Sequence, residues 1–192
     1  MRVRAAQADD AATLADIYRP YVEAIAVSFD NTAPDGPEMA GRMLASPRLP
    51  WLVVEADAGH VAGYAYATRH RSRAAHRWAV DCSGYLMPGE RGRGTGRLLY
   101  SVLLPTLREL GYRRAYAGIA LPNATSVRMH EAMGFTPIGV YKDVGYKLGS
   151  WHDVGWWELP LTPARTEQSP EEPKPWAAQT QRRPADEPGS KA

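Results

Sequence analysis

The chain has 192 residues, 44% of them hydrophobic and 23% charged, with a net charge of +2. That length suits one domain with a sizeable core and a tail, and so small a charge gives no ground for a nucleic-acid partner. No apolar run approaches the roughly 20 residues that cross a bilayer, and the first ten residues lack the apolar stretch of a signal peptide. Cys82 is the single cysteine, which excludes an intrachain disulfide and a cysteine metal cage; a reducing cytoplasm is the simplest home.

In chain order, Arg2–Ala5 reads as a short strand. Asp9 or Asp10 then caps a helix whose apolar stripe is Leu14, Ile17, Tyr18, Tyr21, Val22 and Ile25. A weaker helix follows over Pro37–Ala45. Trp51–Glu55 and Val61–Thr68 read as strands joined by the turn Asp57-Ala-Gly-His60. Trp78–Leu86 is a further strand. It runs into a glycine-rich turn and then a helix with Leu98, Leu99, Val102, Leu103, Leu107 and Leu110 inward, stopped by Gly111. Arg114–Leu121 is a strand, Pro122-Asn123 opens a short helix that Gly134 ends, and Phe135–Val140 and Trp151–Leu159 are the final strands. Hairpins before the glycine turn and strand–helix–strand after it imply an α/β domain with a mixed sheet, spanning residues 1–161. From 162 to 192 proline recurs among charges and Trp176 is the only bulky apolar residue, so this stretch reads as a disordered tail.

The turn Arg91-Gly92-Arg93-Gly94-Thr95-Gly96 carries the most chemistry. Alternating glycines free the main-chain amides to point one way, and the positive end of the next helix adds to them, which makes an anion site. It lacks the Gly-Lys-Ser/Thr of a P-loop and the spacing of the dinucleotide fingerprint. What remains is Arg91-x-x-Gly94-x-Gly96 between a strand and a helix, which resembles the acetyl-CoA-binding motif of the GNAT N-acetyltransferases. Leu121-Pro-Asn123-Ala-Thr-Ser126-Val-Arg-Met-His130-Glu-Ala-Met-Gly134-Phe135 resembles that family's later segment, where an Asn opens a helix along the pantetheine arm. Trp78-Ala-Val-Asp81, Val27-Ser-Phe29, Arg71-Ser-Arg73-Ala-Ala-His76 and Gly145-Tyr-Lys147-Leu-Gly-Ser-Trp151-His152-Asp153-Val-Gly-Trp-Trp together look like its phosphinothricin acetyltransferases, over about residues 3–161.

The resemblance implies the acyl-CoA N-acyltransferase fold, with a mixed, mostly antiparallel sheet splayed at the acetyl-CoA site. It implies acetyl-CoA as cosubstrate, no metal, a small-molecule amine as acceptor, a homodimer, and neither nucleic acid nor membrane as partner. Tyr85, Leu86, Met87, Arg91, Gly92, Arg93, Gly94, Thr95, Gly96, Asn123 and Ser126 are the expected coenzyme-binding residues. The oxyanion donor is expected as a backbone N–H near Tyr85–Met87. Acetyl transfer also requires the amine to lose a proton, and the resemblance points to Asp81 as the base, where phosphinothricin acetyltransferases carry Glu. The shorter arm retracts the carboxylate by about 1.5 Å, which suits proton transfer through a water; the structural alternative pairs Asp81 with an Arg such as Arg73. His130 occupies the place of a thiolate-protonating tyrosine and is the candidate acid, or else a packing residue. Phe29, Arg71, Arg73 and Trp78 are the expected acceptor-site residues, the arginines for an anionic group on an amino-acid-like substrate. Cys82 falls on the sheet face opposite Asp81 and reads as core. The function expected is N-acetylation of phosphinothricin, methionine sulfoximine or methionine sulfone, with herbicide or antibiotic resistance as its outcome. An acetyltransferase for another amine, protein or antibiotic, and a non-catalytic acyl-CoA sensor are the alternatives.

Overall fold

A computed structural model describes residues 1–57, 59–162 and 169–176. The chain forms β1 (Arg2–Ala5), α1 (Ala11–Glu23), α2 (Gly36–Leu44), β2 (Trp51–Glu55), β3 (Val61–Arg69) and β4 (Ala79–Leu86). After the glycine turn come α3 (Thr95–Glu109), β5 (Arg114–Leu121), α4 (Ala124–Ala132), β6 (Thr136–Lys147) and β7 (Ser150–Pro160). The described strands make one sheet in the order β1-β2-β3-β4-β5-β7-β6. Every pairing is antiparallel except β4 with β5, which is parallel and holds only from Ala79–Asp81 against Arg114–Tyr116. Beyond Asp81 the two central strands part.

Residue alternation sends side chains to two cores. Leu52, Val54, Ala65, Ala67, Val80, Cys82, Ala115, Ala117 and Trp157 pack under α3 and α4. Trp51, Val53 and Tyr64 pack under α1 and α2. Cys82 is buried on the face opposite Asp81, as its place in the alternation requires. No helix among the described residues is long and apolar enough to cross a membrane.

Several local expectations shift. Asp10 is not a side-chain cap for α1; it accepts from the Gln7 N–H at 2.7 Å and takes a two-pronged pair from Arg4 at 2.7 and 2.8 Å. The guanidinium fork, a stronger partner than a helix amide, wins the carboxylate. In α3 the inward stripe uses Tyr100 and Leu104, while Val102 is exposed. β6 runs to Lys147 rather than stopping at Val140, through a register irregularity between Tyr141 and Gly145 where Asp143 adopts φ 49°.

The reading of 162–192 as a disordered tail needs correction for residues 169–176, whereas 163–168 and 177–192 lie outside the described residues. Lys174 N–H donates to Leu110 O at 2.7 Å and Trp176 N–H to Arg48 O at 2.9 Å. Arg48 Nη2 reaches Pro173 O at 2.8 Å, and Trp78 Nε1 reaches Glu171 O at 2.7 Å. Trp176 packs against the α3-side core. One indole and a carbonyl at the end of α3 thus give this short strap partners that its composition does not advertise. Trp176→Ala should lower stability by about 1–2 kcal/mol, read as a lower urea midpoint with an unchanged slope; a loose tail would leave the midpoint where it is.

Candidate active site

The parting of β4 and β5 opens a cleft of about 930 Å³, within the ordinary range for a small-molecule site. Its floor and walls come from Gly84 and Leu86 of β4, the glycine turn, α3, Ala120 and Leu121 of β5, and the start of α4. Ile25, Ala26 and Val27 close one side, and His152 of β7 another.

At the turn, Gly92 and Gly94 have φ of 76° and 84°. A methyl group at either would meet nothing within 4 Å, so backbone angle rather than crowding selects glycine there. Gly94 is the N-cap of α3 and supplies no side-chain cap, which leaves the first helix amides facing the cleft without a side-chain acceptor. Arg91 lies beside them and lays its guanidinium over the Tyr21 ring at 4.7 Å. Free amides, a helix N-terminus and a cation on the cleft wall suit a diphosphate. Of the expected coenzyme residues, Leu86, Arg91, Gly92, Gly94, Thr95, Gly96, Asn123 and Ser126 line the cleft. Tyr85, Met87 and Arg93 do not. Tyr85 points to the α1 side, between Tyr18 and Tyr21, because β4 alternates.

The amides of β4 follow the same alternation. Met87 N–H is bound to Ala62 O at 3.0 Å within the β3 ladder and is no oxyanion donor. Leu86 N–H turns the other way and meets the Tyr21 hydroxyl at 3.1 Å; that hydroxyl donates to Leu86 O at 2.7 Å and accepts from Arg91 Nε at 3.3 Å. Tyr21 therefore ties α1, the open edge of β4 and the anion turn together. Sequence reasoning read Tyr21 only as helix stripe, and nothing local announces a hydroxyl contact 65 residues away.

Asn123 caps α4 by accepting from Ser126 N–H at 3.1 Å. His130, on the cleft wall, is 5% exposed. Its Nδ1 lies 2.9 Å from Ser126 O, a carbonyl that only accepts, so Nδ1 carries the hydrogen. Nε2, 3.1 Å from the Tyr100 hydroxyl, is then the acceptor. Burial lowers the His130 pKa, against a weaker upward pull from the Ser126 carbonyl. A neutral imidazole in this tautomer holds no proton at Nε2, and its two hydrogen bonds tie Ser126 to Tyr100.

Asp81 stands on the last paired rung, opposite Thr68 of β3 and Tyr116 of β5. Its partner is not Arg73 but His70, with Nδ1 2.6 Å from Oδ1. Burial raises the Asp81 pKa, while the His70 hydrogen bond and the charges of His70 and Arg71 pull it back. Arg71 and Arg73 are exposed on the loop between β3 and β4. Phe29 lies against Gly145 and near His152 at the rim, ring centroids 6.2 Å apart. Trp78 does not line the cleft: its N–H holds Glu171 O and Arg77 stacks on its ring at 4.7 Å, both before the first paired residue of β4.

Residues 3–156 match the acetyltransferase (GNAT) domain, and the chain belongs to that family. It is 40% identical over 169 residues to the phosphinothricin N-acetyltransferase of Streptomyces viridochromogenes, covering 85% of this chain and 91% of that one. To the L-methionine sulfoximine/L-methionine sulfone acetyltransferase of Salmonella typhimurium it is 33% identical over 162 residues, covering 84% and 95%. Among solved structures, a GNAT superfamily phosphinothricin acetyltransferase from Sinorhizobium meliloti in complex with acetyl-CoA superposes with a TM-score of 0.85 at 35% identity, covering 89% and 93%.

A histidine buried neutral must take up a proton at cost, so its contribution to stability is complete above its unfolded pKa near 6.5 and fades as pH falls below it. His130→Gln, which cannot titrate, should remove that part of the acid sensitivity. Melting temperatures at pH 7.5 and 5.5 should differ less in the variant than in the parent.

Proposed function

We propose that the chain transfers the acetyl group of acetyl-CoA to the α-amine of a small amino-acid-like substrate of the phosphinothricin or methionine sulfoximine/sulfone type. The amine attacks the thioester directly, and proton removal rests on the carboxylate of Asp81. The observation that carries this reading is the position of Asp81. It is a carboxyl of raised pKa on the last rung of β4 and β5, where those strands part; it stands behind the cleft rather than in its lining. A carboxylate there is fit to take a proton at neutral pH. The names of the relatives support the substrate class.

The diphosphate of the coenzyme would lie on the amides from Gly92 to Gly96, with Arg91 beside it, and the pantetheine arm would run between β4 and β5 past Asn123. Alternation along β4 makes Gly84 N–H, two residues before Leu86 N–H, the next amide directed toward the opening and the candidate oxyanion donor. Arg71, close enough to Asp81 to act on its charge, and Arg73 on the same loop would meet the acceptor's anionic group. Phe29 would bound the pocket at the rim. Acetylation removes the α-ammonium by which amino-acid-binding enzymes know such compounds, which is the chemical basis for a resistance role.

We also propose a homodimer through β6 and β7. β6 is an edge strand, and Ile138, Val140, Tyr141, Val144, Tyr146, Leu148 and Trp151 are exposed along this hairpin, Trp151 by 62%. Apolar edge surface of this kind invites a partner.

Thiol release from acetyl-CoA with phosphinothricin, methionine sulfoximine, methionine sulfone and polyamines tests the first reading. Saturable turnover is expected with the amino-acid-like compounds. Asp81→Asn should cut kcat by roughly 10²-fold or more while acetyl-CoA still raises its melting temperature; full activity in that variant defeats the base assignment, and binding without turnover in the parent makes the chain a sensor. Light scattering should give about twice the chain mass, and Trp151→Glu should halve it.

A further inference from the structure

We infer that the proton of the acceptor's ammonium group leaves to Nε2 of His70, and that Asp81 acts through this imidazole as its positioning partner. The inference deepens the proposed acetyl transfer and rests on it.

Asp81 is the side chain on which proton removal depends, yet its Oδ1 is already held by His70 Nδ1 at 2.6 Å. An ionised carboxylate can only accept, so Nδ1 carries the hydrogen, and in the neutral imidazole this tautomer leaves the lone pair on Nε2. Nε2 has no hydrogen-bond partner among the described residues, whereas both nitrogens of His130 are engaged. The His70 side chain is 16% exposed and that of Asp81 25%, so the pair is largely shielded but not sealed from solvent.

The setting is built around the ring. His70 continues β3 past Arg69, its N–H held by Ala79 O at 3.3 Å. The ring stacks on Tyr116 with centroids 4.3 Å apart and planes 22° apart, and meets the edge of Trp156 at 5.8 Å. Trp156 can lie flat across β5 because Gly118 beneath it has no side chain: a methyl group there would sit 3.2 Å from the indole. The Trp156 Nε1 is buried without a partner among the described residues, a second polar group beside the ring with its hydrogen unspent. Asp81, Tyr116 and Trp156 occupy the sheet face opposite Val80, Cys82, Ala115, Ala117 and Trp157, which pack under α3 and α4.

A carboxylate that fixes the tautomer of an imidazole and steadies its charged form is a known route to a competent base. The ammonium gives one proton to Nε2, and the freed lone pair forms the new N–C bond on the thioester carbon. The nitrogen of the adduct then sheds its second proton. The C–S bond breaks with its electron pair on sulfur, and the thiolate takes up one proton. The products are the amide, the coenzyme thiol and one released proton. The other charged or titratable groups facing this pair are Arg71 on its own loop, which bears on Asp81, and Tyr116 of β5, itself influenced by Glu158 and Arg114.

The test uses the full chain with methionine sulfoximine and acetyl-CoA. His70→Ala should lose roughly 10²–10⁴-fold in kcat with little change in the KM for acetyl-CoA or in melting temperature. Imidazole at tens of millimolar, entering the slot between Tyr116 and Trp156, should recover about tenfold or more of that loss, in proportion to its free-base fraction. A kcat within about threefold of the parent overturns the assignment, and so does a loss in folded protein that imidazole leaves untouched. In either case a parent that turns over leaves the acetyltransferase reading standing. A parent inactive with every amine of the panel overturns both. His70→Gln separates packing from basicity: it keeps the volume but not the proton acceptor, and its kcat should fall as far as that of His70→Ala.

Discussion

Three rungs of parallel pairing between β4 and β5 govern the rest of this molecule. A longer ladder would satisfy the inner amides of both strands and close the sheet. Because pairing stops at Asp81 and Tyr116, main-chain groups beyond that point need other partners. The Tyr21 hydroxyl takes both polar groups of Leu86, and the remaining gap becomes the cleft. The same separation sets the glycine turn at the mouth of that cleft, since β4 delivers its end there and α3 starts at once. The glycine turn and the Asp81–His70 pair are thus two ends of one local failure to pair.

Polar groups hold this opening in shape at several points. His130 joins α4 to Tyr100 of α3. Lys147, at the end of β6, is buried and donates to Ser28 O at 2.6 Å, which pins the loop after α1 against the last hairpin. Tyr18 and Asp30 brace the same loop, the former 2.5 Å from Ser28 Oγ. The His130–Tyr100 and Lys147–Ser28 contacts join elements far apart in sequence, so these walls of the cleft are fixed by tertiary hydrogen bonds as well as by local propensity.

Much of the fold is legible in the chain, and the reasons are local. Arg2–Ala5, Trp51–Glu55 and Arg114–Leu121 are read to the residue, because alternation and flanking turn residues mark both ends. The anion turn is legible because glycine at 92 and 94 answers a backbone angle that other residues avoid. What escapes is contact made across the sheet. His70 hides in a run of arginines and looks like one more solvated basic residue. A signal does exist: pairing Thr68 with Asp81 in the β3–β4 hairpin brings position 70 diagonally near position 81. Only a register, not a composition, reveals it. The hydroxyl of Tyr21 has no such signal, since its helix face reads as ordinary core. Asp143 in the left-handed region and the irregular pairing around it likewise carry β6 past the point where its apolar pattern fades.

The strap from Glu171 to Trp176 has a practical bearing on how this molecule is handled. It covers the carbonyl that ends α3 and steadies the indole at the foot of β4. Trimming the chain just after the last strand, a common route to better crystals, would strip that cover and bare part of the apolar cluster that Trp176 packs against. Shortened versions would then invite clumping on a face far from the cleft, and a poor yield from them would say nothing about the enzyme itself.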